Sequence, residues 1–287
     1  MTHVLLAGAT GYLGKHILKE LESWRIPTTA LARNPNKLHA FAWNELKVAK
    51  AEVTDPESLA GLFEGVSTVI STIGITRQRD GLTYMDVDYQ ANMNLLAEAS
   101  RAGVKKFIYV SAIGGERHRH LQIFKAKERF VDVLKQSGLE YTIVRPNGFF
   151  SDLNEILFMA KRGRVYMFGD GEYKLNPIHG SDLAEVIVQA IAQSVKEIEV
   201  GGPDVLTQNE IAEMALSAWN HTPRITHLPD WIRTFALKVS RRVLDEKIFG
   251  PIEFFLTLIA TDAVAPRYGS RRLQEYYKQE VKNHLNH

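Results

Sequence analysis

Three glycines spaced three residues apart, Gly8, Gly11 and Gly14, lie close to the N-terminus. They follow Val4–Ala7, which the apolar pattern predicts as a buried strand, and lead into a helix predicted from about Tyr12. Such a turn lets backbone N–H groups and a helix N-terminus face a pyrophosphate, since both favour an anion. A Cβ would block the tight bend and the close approach of a ligand. The segment therefore predicts a dinucleotide-binding turn formed by Gly8, Thr10, Gly11, Tyr12, Leu13 and Gly14.

The first half of the chain alternates strand and helix patterns at the spacing typical of βαβ units. Strands are predicted at Val4–Ala7, Thr28–Ala32, Leu46–Val53, Thr68–Thr72, Lys106–Val110 and Tyr141–Val144. Helices are predicted to start at Thr54–Glu57 and to cover Tyr84–Ala102 and Phe124–Gln136. This alternation predicts an α/β fold of Rossmann type, a doubly wound parallel sheet with helices on both faces.

The pattern changes after Pro146, where strands become sparse and loops rich in glycine and charge appear. Helices are predicted there at Ser181–Ser194, at Asn209–Asn220 and from about Pro229 to Asp245. We expect residues 1–150 to form a dinucleotide-binding domain. Residues 151–287 are expected to form a smaller, mostly helical lobe for substrate or partner, which is not an independent domain.

The composition excludes several kinds of site and partner. The 287 residues include no cysteine, so disulfides, thiolate nucleophiles and cysteine-based metal sites are excluded. A formal net charge of +2 implies no general affinity for polyanions, and no nucleic-acid partner is expected. The N-terminus shows no signal-peptide pattern, and the apolar stretch Ile252–Ala260 is too short to span a bilayer. These features predict a cytoplasmic protein.

Arg33 follows the second predicted strand, where dinucleotide-binding folds recognise the adenosine ribose. An acidic residue there binds the 2′-hydroxyl of NAD, whereas an arginine suits the 2′-phosphate of NADP. NADP is therefore the predicted cofactor, with NAD as the alternative. Lys37 is a second cation nearby that either assists Arg33 or lies in solvent.

Further cofactor contacts are expected where the other parallel strands end, because ligands bind outside the carboxyl ends of such strands. Glu52 and Val53 end the third predicted strand, at the expected place of the adenine ring. Thr72, Ile73 and Gly74 lie at the end of the fourth, near the phosphates and ribose. Ordinary strand-to-loop turns would give the same pattern.

Several motifs together resemble the atypical short-chain dehydrogenase/reductase superfamily, and within it the NmrA-like and isoflavone-reductase-like proteins. The resemblance covers about the first 190 residues, and the last hundred or so match no family pattern. The motifs are the Gly8–Gly14 turn, Arg33, Val110–Ala112, the helix around Lys127, Tyr141–Pro146, Pro177–His179 and Asp182–Ala184.

The resemblance implies a catalytic set of serine, tyrosine and lysine. Ser111 matches the serine and Lys127 the lysine, and both would also contact the cofactor. The tyrosine should lie one helical turn before the lysine, but Ile123 occupies that position and cannot transfer a proton. Lys127 alone is then expected to act as general acid or base, with a pKa lowered by partial desolvation beside a cationic nicotinamide. Alternatively, Lys127 only binds ribose and no reaction occurs.

Two histidines offer weaker candidates for the missing proton donor. His118 and His120 lie in the basic loop Arg117–His120 and titrate near neutral pH, although such a charged loop also suits a solvated surface. His179 and Asp182 are expected to be structural, with Asp182 capping a helix that begins near Leu183. No metal site is expected.

The resemblance implies that the segment after the sixth strand approaches the nicotinamide and forms the start of the substrate pocket. Pro146, Asn147 and Phe149 are the expected cofactor contacts, and Phe149 with Phe150 would form an apolar wall. Two phenylalanines in an ordinary core would give the same pattern.

Two functions remain open at this point. The first is an NADP-dependent reductase of a small, apolar carbonyl or enone substrate. The second is a non-catalytic NAD(P)-sensing regulator or assembly factor, suggested by Ile123 and by a C-terminal region that could bind a protein partner. That region includes the basic residues Lys238, Arg241 and Arg242 and the apolar stretch Phe254–Ile259.

Overall fold

The computed structural model describes residues 2–75 and 81–286. These residues fall into two compact units. The first contains the chain up to Arg145 together with Leu183–Ile198, and the second contains Pro146–Asp182 and the chain from Glu199 onward. The predicted boundary at residue 150 stays a prediction.

The strands are β1 (Val4–Ala7), β2 (Thr28–Ala32), β3 (Leu46–Lys50), β4 (Thr68–Ser71), β5 (Lys106–Val110), β6 (Glu140–Pro146), β7 (Val165–Phe168), β8 (Lys174–Leu175), β9 (Glu197–Val200), β10 (Leu206–Thr207) and β11 (Ile225–Leu228). The helices are α1 (Tyr12–Ser23), α2 (Asn92–Arg101), α3 (Gln122–Gln136), α4 (Asn154–Ala160), α5 (Gly180–Gln189), α6 (Gln208–Ala218), α7 (Asp230–Val243), α8 (Glu246–Leu258) and α9 (Leu273–Leu285). A π-helical segment, Met85–Ala91, runs directly into α2.

A seven-stranded sheet in the order β3-β2-β1-β4-β5-β6-β9 confirms the predicted Rossmann-type α/β fold. From β3 to β6, each neighbouring pair is parallel. The chain order reverses between β1 and β4, which is the place where doubly wound folds bind ligands. Strands β1, β2, β4 and β5 are buried along their whole length, as expected for a parallel sheet covered on both faces.

Three strands have the predicted bounds, and other elements differ in ways that matter for the site. Strand β3 ends at Lys50, so Glu52 and Val53 lie in the loop after it. The helix predicted to start at Thr54–Glu57 is only a four-residue 3₁₀ turn, Pro56–Leu59, which Asp55 caps. The helix predicted over Tyr84–Ala102 is divided into the π-helical segment and α2.

The second unit has its own core. Helices α4, α6 and α9 contribute Leu157, Leu216 and Tyr277 to one apolar cluster, which also contains Phe150. Short strands accompany them, with β7 parallel to β11 and β8 antiparallel to β10. This cluster takes no residue from α7 or α8.

Candidate cofactor site

The glycine turn is folded too tightly to accept side chains. Gly8 has a φ of +86°, and a Cβ placed there would collide with the Thr72 hydroxyl. A Cβ on Gly14 would lie 2.8 Å from the Cα of Ala9 and would collide with the Gly8 carbonyl oxygen. The Gly11 N–H closes the turn by donating to that carbonyl at 3.0 Å. This cradle, which any Cβ would fill, fits a pyrophosphate approaching the backbone.

Helix α1 begins at this turn with its positive end uncompensated. Its cap is Gly11, which has no side chain to satisfy the first amides, and its first turn, Tyr12–Lys15, contains no carboxylate. Both features leave N–H donors and the helix dipole available to an external anion. The local sequence thus suits the predicted phosphate contact.

Arg33 and Glu52 lie side by side after β2 and β3. The Arg33 Nε is 3.8 Å from Glu52 Oε2, and two thirds of the Arg33 side chain is exposed. Glu52 is held in place because its Oε1 accepts the Thr54 hydroxyl at 3.0 Å. Val53 is fixed through its carbonyl, which accepts the Asn94 amide at 3.0 Å. Arg33 is thus an exposed cation with one weak ion pair, whereas hydrogen bonds hold both Glu52 and Val53.

The end of β4 joins the glycine turn to the lysine helix. Thr72 donates its backbone N–H to the Ala7 carbonyl at 3.1 Å. Two residues later, a Cβ on Gly74 would lie 2.6 Å from Asp88 Oδ1 and 2.7 Å from Lys127 Nζ. The Ile73 carbonyl between them accepts the Asn92 amide at 3.3 Å. The structure therefore brings the predicted residues Thr72, Ile73, Gly74 and Lys127 together.

Lys127 forms a buried ion pair that the sequence analysis did not foresee. Its Nζ lies 2.9 Å from Asp88 Oδ1, and Asp88 is fully buried. Asp88 Oδ2 accepts the backbone N–H of Ile75 at 3.2 Å. Burial raises the pKa of Asp88, although the charge of Lys127 opposes that rise.

The expected lowering of the Lys127 pKa is wrong. Burial does act to lower the pKa, but the negative charge of Asp88 and the neighbouring Tyr109 outweigh it, so the pKa of Lys127 is raised. The Nζ also lies 5.7 Å from the centre of the Tyr109 ring. Lys127 is therefore a firmly held ammonium, which can donate hydrogen bonds and positive charge but is poorly suited to accept a proton at neutral pH.

The other two positions of the implied catalytic set supply no free proton donor. Ile123 is buried in α3, one turn before Lys127. The Ser111 hydroxyl donates to Glu128 Oε1 at 3.0 Å. Glu128 is fully buried and binds the Arg145 guanidinium through both oxygens, at 2.5 and 2.9 Å. In this arrangement Ser111 can meet a ligand only as a hydrogen-bond acceptor.

Asp88 and Glu128 are the site residues that sequence reasoning missed. In the sequence, Asp88 follows the apolar residue Val87 within a predicted helix, and Glu128 follows Lys127. Neither position differs from that of an ordinary exposed acid on a helix. Burial of a carboxylate depends on a cationic partner far along the chain, here Lys127 and Arg145. A sequence signal that could have found them is an acidic residue on the apolar, and therefore buried, face of a helix. Such a residue requires a lysine or arginine elsewhere in the sequence as its ion-pair partner.

The structure disfavours the protonated form of one of the two histidine candidates, and the other stays a prediction. Burial, followed by the charges of His120 and Arg117, lowers the pKa of His118, so this side chain is neutral at physiological pH. In the same loop, Arg119 binds Asp132 with both nitrogens, at 2.6 and 2.8 Å. Within residues 2–75 and 81–286, no cluster of three histidine or acidic side chains could hold a metal.

In the second unit, Asn147 and Phe150 have structural surroundings. The Asn147 amide donates to Asn176 Oδ1 at 2.8 Å and to the Ala263 carbonyl at 2.5 Å. Phe150 is a core residue, so its expected role as a wall of an open cleft is wrong. Phe149 is half-buried, and the cofactor contacts predicted for Pro146, Asn147 and Phe149 stay predictions.

Asp182 does not cap α5. The helix begins at Gly180, before the predicted start, and Asp182 lies within its first turn. Its carboxylate accepts the Arg271 backbone N–H at 3.2 Å and also pairs with the Arg271 guanidinium. Burial and then the charge of Arg271 lower the pKa of His179, consistent with a structural role for this side chain.

Comparisons with known proteins agree with this geometry. The divinyl chlorophyllide a 8-vinyl-reductase of Oryza sativa subsp. indica is 28% identical, over 98% of this chain and 79% of that protein. The photosystem II assembly factor Ycf39 of Guillardia theta is 25% identical, over 79% of this chain and 73% of that protein. An Escherichia coli NADPH-dependent quinone oxidoreductase, solved with NADPH, has the same fold, with a TM-score of 0.72, 19% identity and coverage of 97% and 99% of the two chains. The model of the family described as NAD(P)H-binding matches residues 8–194. The chain therefore belongs to the NAD(P)H-binding family, as the Gly8–Gly14 turn and the Rossmann-type sheet require.

Proposed function

We propose that this chain is an NADP(H)-dependent reductase of a small, apolar carbonyl or enone compound. One observation carries the proposal. The ammonium of Lys127, paired with the buried Asp88, lies next to Gly74, in the loop that follows the carboxyl end of β4. The same loop begins at Thr72, which contacts the glycine turn. A protein that only needed the fold would have little reason to keep a buried charge there, because a desolvated cation costs stability unless it is paired.

The residues of the first unit would hold the cofactor in a defined order. The glycine turn and the N-terminus of α1 bind the pyrophosphate, and Arg33 binds the 2′-phosphate of the adenosine ribose. Thr72, Ile73 and Gly74 line the path toward Lys127. When bound, NADPH would supply the hydride, and the proton that completes the reduction of the acceptor would come from solvent water, while the Lys127 ammonium stabilises the developing negative charge.

Lys127 would act by its charge. Held as an ammonium by Asp88, it donates hydrogen bonds to a ribose hydroxyl or to the oxygen of the acceptor, where negative charge develops during reduction. Asp88 fixes the position of the ammonium and keeps it protonated. The general-base role is not supported, because a group that is already protonated has no lone pair to accept a proton.

The relatives support reduction as the reaction class. The rice protein is by its name a vinyl reductase, and it aligns with nearly the whole of this chain. A conjugated carbon–carbon double bond and an enone are chemically alike, since both take a hydride at a carbon that is activated by an extended π system.

A steady-state assay of two lysine variants tests the proposal. Lys127→Ala should lower kcat/KM for NADPH-dependent reduction of an enone or quinone panel by about 10²-fold or more, as for removal of other preorganised charges. Lys125→Ala is the matched control, because Lys125 is exposed on the same helix two residues earlier. If NADPH binds but no acceptor is reduced, and Lys127→Ala leaves cofactor affinity unchanged, the reductase proposal fails.

A second candidate function is a non-catalytic NAD(P)-sensing assembly factor. It is favoured by Ile123 in the tyrosine position and by the Ser111 hydroxyl already donated to Glu128, so neither the tyrosine nor the serine position offers a hydroxyl proton to a substrate. The similarity to an assembly factor of Guillardia theta supports it. Affinity capture of partners with and without NADPH tests it, and a partner set that does not respond to NADPH would count against sensing.

A further inference from the structure

Helix α7 exposes an apolar stripe along its whole length. Trp231, Phe235, Val239 and Val243 are spaced four residues apart, so their side chains follow one another along one side of the helix. Their exposed fractions are 66%, 61%, 41% and 74%. Isolated exposed apolar residues are ordinary, but four in a continuous row indicate a surface that binds a membrane or another protein.

Basic side chains lie on the Trp231 side of this stripe. Lys238, Arg241 and Arg242 are exposed, and on a helical projection Lys238 and Arg242 lie within about 20° of Trp231, whereas Arg241 lies about 80° away on the side opposite Val239. The helix has four cationic residues against one carboxylate, that of Asp230. Asp230 is bound to Arg233 at 2.6 Å, so it does not neutralise the other three cations.

The rest of the second unit does not bury α7. None of its residues, all of which the structure describes, is buried. Arg233 ties it to α8 by donating to the Leu256 carbonyl at 2.8 Å. Helix α8 itself exposes Ile248 and Phe255. The two helices therefore present apolar surface on their own, outside the core formed by α4, α6 and α9.

We propose that α7 lies on an anionic lipid surface. Its aromatic and aliphatic side chains would enter the boundary between headgroups and acyl chains, while Lys238, Arg241 and Arg242 meet lipid phosphates. With 14 residues the helix is about 21 Å long, which suits a position in the plane of the membrane rather than across it. Among the described residues, no helix is long and apolar enough to cross a bilayer.

Charge favours lipid over a second copy of the chain. If two copies met through α7, each would place its three cations against those of the other, which disfavours a symmetric contact. An anionic bilayer instead presents negative charge and an apolar interior in parallel layers. That arrangement matches a helix whose exposed face carries long basic side chains among apolar ones, because the flexible stems of Lys238 and Arg242 can reach the headgroups while Trp231 and Phe235 enter the apolar layer.

Vesicle flotation tests the proposal on the full-length protein. We expect the protein to float with mixed phosphatidylcholine–phosphatidylglycerol vesicles and to stay behind with phosphatidylcholine alone. Changing Lys238, Arg241 and Arg242 to Gln should weaken partitioning about a hundredfold, since each cation near an anionic surface contributes about one factor of five. Trp231→Ser with Phe235→Ser should also abolish flotation. The control is Lys278→Gln with Lys282→Gln, two exposed cations on α9.

Three results would overturn the proposal. The first is no flotation with either vesicle type. The second is flotation that survives both sets of α7 changes. The third is self-association in sedimentation velocity that disappears with Trp231→Ser and Phe235→Ser, which would make the stripe an interface between copies. All the changed side chains are exposed, so each variant should have a melting temperature close to that of the wild type. Thermal unfolding of each variant measures this and establishes that it is folded. NADPH binding and turnover do not enter the readout, so the proposed reductase activity is tested separately.

Discussion

The Nζ of Lys127 lies 2.9 Å from the buried Oδ1 of Asp88, and both atoms border the position that a Cβ on Gly74 would occupy. The carboxylate of Asp88 keeps Lys127 positively charged and holds its Nζ next to the loop after β4. Because both side chains lie so close to Gly74, any larger residue at that position would collide with them.

Removing the charge of Asp88 should lower the pKa of Lys127. In Asp88→Asn, burial remains and the neighbouring carboxylate is gone, so the balance that now raises the pKa shifts downward. Modification of Lys127 by an amine-reactive reagent, followed by mass spectrometry across pH, should proceed on the order of tenfold faster for each unit by which the pKa falls. The matched control is Asp86→Asn, since Asp86 binds Thr83 instead of Lys127. An unchanged rate in Asp88→Asn would contradict the assigned role of the pair.

The paired ammonium of Lys127 should contribute stability near neutral pH and lose this contribution in alkali, whereas the raised pKa of Asp88 opposes it above the ordinary carboxyl pKa. The pKa of Lys127 is higher in the folded protein than its ordinary value of 10.5. Its contribution to the unfolding free energy is therefore fully present below that ordinary pKa, and it is lost as the pH rises through the folded value. Urea unfolding of wild type and of an Asp88→Asn, Lys127→Met double variant should show a difference near neutral pH that shrinks above pH ~11. A difference that is constant with pH would show that packing, not charge, is responsible.

Gly8→Ala should abolish NAD(P)H binding. The φ of +86° alone costs about 1–2 kcal/mol for an alanine, and the added methyl group would also collide with Thr72. Gly103→Ala is the control, because Gly103 has a similar φ of +71° with nothing within 4 Å of the added Cβ. Both variants should lose stability in thermal unfolding, but only Gly8→Ala should lose the fluorescence signal of bound NADPH. If both still bind NADPH, the turn does not hold the pyrophosphate.

Arg33→Ala should weaken NADPH much more than NADH. A charge-assisted contact with the 2′-phosphate contributes roughly 1.5–3 kcal/mol, so the Kd for NADPH should rise about ten- to a hundredfold. NADH has no such phosphate, and its Kd should change little. Isothermal titration of both cofactors measures this, with Lys19→Ala as an exposed cation on α1 for comparison. Equal weakening of both cofactors would remove the assignment to NADP.

Local patterns in the sequence predict the fold of the first unit well. The bounds of β1, β2 and β5 are those predicted, because each is a short buried strand with turns on either side. The turn at Gly8 is equally local, since its requirement for glycine follows from a few adjacent residues. Where local preference and tertiary packing agree, the sequence is sufficient.

The chemistry of the site could not be predicted in the same way. The raised pKa of Lys127 depends on Asp88, and the engagement of Ser111 depends on Glu128 and Arg145. These partners are far apart in the chain and meet only because β5, β6, α3 and the π-helical segment pack together. The family motif that contains Lys127 does not include Asp88, the carboxylate that pairs with it. The expected direction of the pKa shift of Lys127 was wrong for that reason.

The π-helical segment Met85–Ala91 makes the position of Asp88 depend on the length of the chain as well as on its sequence. A π-helical turn accommodates an extra residue compared with an α-helical turn, and such turns often occur at functional sites. Loss of one residue between Asp88 and the start of α2 would allow the segment to become α-helical and would rotate Asp88 by about 100° relative to α2. Single-residue deletions here should therefore be as harmful during evolution as replacement of Asp88 itself, even when every side chain around Lys127 is retained.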